Sequence, residues 1–270
     1  DTATTEIYTL SLLDALPIRS AVETHETIAR VEYLARSRKL TILNLTIIAQ
    51  FGRIGTAPKG GQRRKNAVNE RGYPSREEAL ATLAWAETRN PGNWIRHSRV
   101  AGDAAFRIAS AVPGMDPERA SICCLLHDIG RYVGVVRARH QIEGYRFCME
   151  RGWDEAARIC LTHTYPLQDI RRYNEYWDID ENEKRFLADF ILGADYTAYD
   201  RLAQLVDYLA LPTGFCIIEK RMVDVGRRHG VDAGSIARWN RVFELKEEFD
   251  REIGGNLYML LPGIAENSIA

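Results

Sequence analysis

With 270 residues, of which 46% are hydrophobic and 27% charged, the chain has the material of a globular protein and can bury a sizeable core in one large domain or two small ones. Its net charge of −1 supplies no global field to gather nucleic acid or anionic membrane, so function must rest on local sites. No apolar run reaches the roughly 18 residues needed to span a bilayer; the stretch 40–48 is too short and carries Asn44. The five cysteines (Cys123, Cys124, Cys148, Cys160 and Cys216) form no CxxC pair, and all but Cys216 lie in apolar helical patterns, as reduced thiols do. These features predict a cytoplasmic protein with neither membrane nor nucleic acid as partner.

In chain order, residues 1–18 (DTATTEIYTLSLLDALPI) resemble the translation of a sequencing adapter, and no methionine precedes Met115. Residues 1–20 are therefore read as an artefactual leader with no place in the fold. Residues 21–71 leave several readings open: a helix over 23–38, a strand or apolar helix over 40–49, and a loop over 52–71 rich in Gly, Lys and Arg. Order is predicted from Tyr73. Ser75 with Glu78 makes a capping box for a helix that continues over 79–87, and Asn90-Pro91-Gly92 breaks it. A second helix is predicted over 94–112. A third opens on Asp116-Pro117, an N-cap followed by proline at the first helical position, and runs to about 128. Further helices are expected over 138–151, 154–163, 180–195, 199–211, 214–229 and 235–253. No alternating strand pattern follows Tyr73, so the expected class is all-α, with residues 72–270 as the folded domain.

The chemistry-bearing residues fall on apolar stripes. Trp94, His97, Ala101, Ala104 and Ile108 follow the helical period, and so do Ala120, Cys123, Cys124 and His127, with Asp128 next in line. Ala156, Ile159, Cys160 and His163 repeat the pattern, and Leu187, Ala188, Ile191 and Asp195 end another stripe. One buried histidine is ordinarily a satisfied core residue. Four helices that each turn a His or Asp inward are better explained by a shared metal, because unpaired buried charge is costly and facing helices build metal sites this way. His140 adds a sixth candidate, and the mixture of imidazole and carboxylate suits Fe, Mn, Zn or Ni.

The ordered segments HSRVAGDAA, LLHDIGR, RHQIEGYRF, ICLTHT and LGADY, spanning roughly residues 73–208, resemble the HD superfamily of metal-dependent phosphohydrolases in its His-Asp-Ile-Gly form. The resemblance implies an all-α HD-domain helical bundle with a buried His/Asp site. It further implies that His97, His127, Asp128 and Asp195 hold one divalent metal, and that Asp128 bridges to a second held by His140 and His163. The implied reaction is attack of metal-activated hydroxide on a small phosphorylated substrate, such as a nucleotide. Arg131, directly after the doublet, is the expected phosphate clamp because guanidinium matches phosphate oxygens bidentately, with a salt bridge as its bland alternative. Arg96, Arg99, Arg139 and Arg146 are weaker candidates, and Thr164 either contacts substrate or caps a helix. Some HD proteins with six such ligands are instead di-iron oxygenases, and a non-catalytic regulatory module is the third reading.

Overall fold

The computed structural model describes residues 71–173 and 176–269. The readings of the leader and of residues 21–70 lie outside them. The first helix, α1 (Arg76–Arg89), starts where the capping box predicts: the Ser75 hydroxyl accepts from the Glu78 amide, and the Glu78 carboxylate accepts from the Ser75 amide. Such a cap is worth about 1 kcal/mol. In sequence α2 (Asn93–Ala111) follows, and α1 packs against α3 (Pro117–Leu125), which is capped by Asp116 with Pro117 in the first turn. Gly102 lets α2 and α3 approach closely, since a Cβ there would stand 3.1 Å from the Ser121 carbonyl.

After α3 come a 3-10 turn (Ile129–Val133), α4 (Arg139–Met149) and α5 (Asp154–Thr162). Next are a 3-10 turn (Ile170–Arg172), α6 (Glu181–Gly193) and α7 (Ala198–Val206). The chain ends in α8 (Ile218–His229), α9 (Ala233–Ile253) and a short α10 (Ile264–Ile269). The main core draws on α1–α5 and α7–α9. A smaller apolar cluster under α6 joins Ala138, Ile142, Leu161, Tyr165, Leu187 and Ile191.

Three of the predicted helices end at points that shape the site. The third was expected to run to about 128, but α3 stops at Leu125. There the backbone tightens to shorter bonds, with the Leu126 amide donating to Cys123 and the Ile129 amide to Leu126. The helix expected to reach 195 ends at Gly193, because a new capping box (Thr197 with Asp200) opens α7 just beyond. The helix expected over 199–211 stops at Val206. It passes through a 3-10 turn (Asp207–Leu209) into a two-residue strand, β1 (Ala210–Leu211), that pairs antiparallel with β2 (Gly214–Phe215). That ladder is the strand content among the described residues, so the all-α class holds.

Candidate metal centre

Five of the sequence-predicted residues are brought together in the interior. His97, His127, Asp128, His140 and His163 are each at most 5% exposed. They come from α2, the turn after α3, α4 and the C-terminal end of α5. Among the described residues, His97, His127 and Asp128 have ligand atoms mutually within 4.8 Å, and so do Asp128, His140 and His163. Asp128 belongs to both groups.

This meeting depends on Gly130. A Cβ at that position would lie 1.9 Å from the His140 carbonyl oxygen and 2.4 Å from the Gly144 nitrogen, both backbone atoms of α4. Only a residue without a side chain lets the turn carrying His127-Asp128 press against the helix carrying His140.

The histidine tautomers follow from their partners. His97 Nδ1 donates to the Ala210 carbonyl (3.1 Å), His127 Nδ1 to Cys124 (2.6 Å), His140 Nδ1 to Arg137 and His163 Nδ1 to Ile159 (3.0 Å). A carbonyl can only accept, so each Nδ1 carries a proton, and in a neutral ring Nε2 then presents a lone pair. Those bare nitrogens face one another, with His97 Nε2 3.2 Å from His127 Nε2 and His140 Nε2 3.4 Å from His163 Nε2. His140 Nε2 also stands 3.3 Å from Asp128 Oδ1, a buried oxygen that accepts no hydrogen bond. The Thr164 hydroxyl donates to His163 Nε2 at 3.0 Å and takes a contact from Gln141.

Lone pairs turned toward lone pairs repel unless a cation or extra protons lie between them. Extra protons are disfavoured. Burial holds the His127 imidazole below its usual range and brings His163 down to about 4. Burial, reinforced by the Arg131 guanidinium, takes His140 well below. Burial would raise the Asp128 carboxyl, but the Arg131 guanidinium beside it outweighs this and holds the group well below the usual carboxylate range. Neutral imidazoles beside ionised carboxylate are the donor set a divalent metal takes, so these residues fit one. Two open surface grooves, of about 600 and 350 Å³, are lined by none of them.

Two expectations change. Asp195, named from the sequence as a ligand, is exposed in the linker between α6 and α7, where its backbone carbonyl accepts from Arg158. It is not among the residues brought together. Asp207, twelve positions later, stands there instead, with Oδ1 3.0 Å from His97 Nε2. Burial would raise its carboxyl, yet its contact with the His97 ring and the Arg221 guanidinium keep it well below the ordinary value. Sequence reasoning missed Asp207 because it carried the stripe of α6 too far. The Thr197-x-x-Asp200 box would have set Asp195 aside, since it puts that residue ahead of a new helix start, but it does not point to Asp207. Arg131, expected to clamp phosphate, turns its Nε to Asp128 Oδ2 at 2.7 Å. Its backbone carbonyl accepts from Asn90 at 2.7 Å.

The remaining expectations fall into place around the site. Arg96 and Arg99 are exposed on α2, whereas Arg139 and Arg146 pair with Glu143 and Glu183. All five cysteines are buried and free. Among the described residues no helix is long and apolar enough to cross a membrane.

Comparison with known proteins agrees with this geometry. A family profile described as HD domain matches residues 94–211, a span that contains all six clustered residues from His97 to Asp207. Comparison with curated proteins and with solved structures gave no significant match. Residues 94–211 therefore carry an HD domain, a helical domain whose buried His/Asp cluster is compatible with a metal site.

Proposed function

We propose that this chain is a two-metal phosphohydrolase that cleaves a phosphate ester or anhydride in a small molecule, with nucleotides the first class to test. The observation that carries this reading is the convergence of the His127, His140 and His163 Nε2 atoms on Asp128, at 3.7, 3.3 and 3.9 Å, with His97 Nε2 beside them and the Asp128 carboxylate common to both ligand groups. We assign His97, His127, Asp128 and Asp207 to one metal, and Asp128, His140 and His163 to the other. Fe, Mn, Zn or Ni suits this mixture of imidazole and carboxylate. When bound, the metals would activate water and neutralise charge developing at phosphorus.

The chain's own residues prepare that chemistry. Four backbone carbonyls fix the imidazole tautomers and aim Nε2 inward. Arg131 and Arg221 keep Asp128 and Asp207 ionised. Asp207 and Arg131, with 25% and 30% of their side chains exposed, mark where the cluster meets solvent. Arg131 is therefore also assigned to a substrate phosphate oxygen.

The test is metal analysis of anaerobically purified protein, followed by phosphate release from a panel of nucleotides and sugar phosphates with Mn²⁺, Fe²⁺, Zn²⁺ or Ni²⁺. The expected result is two metals per chain and release that Asp128→Ala abolishes. Bound iron with oxygen consumption and no phosphate release would assign the site to the oxygenase chemistry instead. Failure to retain any metal would point to a regulatory module.

A further inference from the structure

Asp207 gets little hold from its own element. It opens a three-residue 3-10 turn between the end of α7 and the start of β1, with no side-chain cap at that junction. What holds it comes from α8, fourteen residues further along the chain. Arg221 Nε donates to the Asp207 backbone carbonyl at 3.2 Å, and its Nη2 contacts Asp207 Oδ1 at 3.3 Å, the same oxygen that faces His97. The guanidinium is fixed from behind as well. Its Nη1 lies 3.1 Å from Asp224 Oδ2, and Arg228 contacts that same oxygen at 2.9 Å. The Arg221 side chain is only 15% exposed.

We propose that Arg221 is a positioning residue for the metal centre: by gripping both the main chain and the carboxylate of Asp207, it holds that carboxylate toward His97 and strengthens binding at the first metal group. The proposal rests on the assignment of Asp207 as a ligand. A planar fork with two donors on one residue fixes the angle between backbone and carboxylate, which a single point charge does not. Two effects oppose each other here. A cation beside a ligand carboxylate competes with the metal and would weaken binding, whereas a pre-set carboxylate spares the metal the ordering of that ligand. The second wins if the grip on the main chain matters, because charge competition needs no such contact. Partners of this kind typically contribute about 10- to 100-fold in metal affinity.

The two effects predict opposite signs, so titration of the full chain with Co²⁺ separates them. Binding is followed by the visible bands of the coordinated ion, and folding by circular dichroism. Arg221→Gln keeps much of the side chain without the charge, and is expected to weaken Co²⁺ binding about tenfold or more and to alter the band shape. Arg221→Lys, which keeps the charge but cannot make the fork, should fall between Gln and the parent. It also serves if the Gln variant does not fold. In an Asp207→Asn background, Arg221→Gln should have no further effect beyond about twofold, since the residue it positions is already lost. Unchanged or tighter Co²⁺ binding in folded Arg221→Gln overturns the proposal, as does an equal loss in the Asp207→Asn background. If Asp207→Asn alone leaves Co²⁺ binding untouched, the ligand assignment falls and takes this inference with it. None of these readings depends on phosphate release, so a failed substrate panel leaves the test intact.

Discussion

Replacing Gly130 by alanine tests whether a close backbone approach assembles the centre. The new Cβ would lie 1.9 Å from the His140 carbonyl oxygen, whereas real Cβ contacts essentially never fall below 3.0 Å. The turn and α4 must therefore separate by at least about 1.1 Å, and the obstructing atoms are backbone, so no rotamer change relieves them. Overpacking of this kind costs about 3 kcal/mol, which for a domain of this size lowers Tm by about 6–12 °C. The same displacement acts on the 3.3 Å approach of His140 Nε2 to Asp128 Oδ1, so the group formed by Asp128, His140 and His163 should lose its metal first. The assay is a thermal melt beside elemental analysis, with Gly255→Ala as the control. A Cβ at Gly255 meets nothing within 4 Å, so the control should stay within about 0.5 kcal/mol of the parent. A Gly130→Ala protein that melts like the parent and keeps its full metal content would refute the reasoning.

Removing metal with a chelator should lower Tm, and re-adding Mn²⁺ should restore it, with about 2.7 kcal/mol at stake when free metal is a hundredfold above Kd; identical melts with and without chelator would count against a metal centre. In chelated protein His127, His140 and His163 have folded values below those of the unfolded chain, so the unfolded state binds more protons as pH falls. Stability should therefore be full above about pH 6.5 and decline as pH falls toward 4, by up to about 1.4 kcal/mol per pH unit for each histidine; denaturant midpoints flat across that window would contradict it. Asp195→Asn should leave metal content and Tm unchanged, whereas Asp207→Asn should weaken metal binding; the reverse order would restore the sequence-based assignment. Arg131→Ala should cost about 1.5–3 kcal/mol through its lost contact with buried Asp128, and should weaken but not abolish metal binding, checked by melts and elemental analysis.

The parts of the centre that the sequence made legible are those that helical geometry sets locally. Periodicity put His97, His127 and His163 on buried stripes, and all three are buried. The capping box at Ser75 and the Asp116-Pro117 start were equally readable, because a cap is a contact over two or three residues. Asp207 was not readable by the same means. It belongs to no helical stripe, standing where α7 unwinds into a 3-10 turn, and its partners His97 and Arg221 are far away in sequence. Arg131 was singled out, but its Nε contact with Asp128 is a matter of side-chain placement that composition and spacing do not express. The grip of Arg221 on Asp207 left no local trace either.

The same division separates the two ligand groups. His127, His140 and His163 each donate Nδ1–H to a carbonyl three or four residues back, so their tautomers are set as soon as their own turn forms. Asp128, His140 and His163 span only 36 positions, and the short chain between them is the α4–α5 hairpin. His97 is different, because its Nδ1 partner is the Ala210 carbonyl, 113 residues away on β1. That strand directly follows the turn bearing Asp207, so one docking event both fixes the His97 tautomer and delivers the remaining carboxylate. Contacts of such separation carry the larger loop-closure cost and are made later in folding. The group formed by Asp128, His140 and His163 is thus built from local structure, whereas the group containing His97 and Asp207 is complete only when residues 207–211 have packed against α2. Perturbations of α8 or of β1 should accordingly reach the proposed first metal group, through His97 and Asp207, before the proposed second.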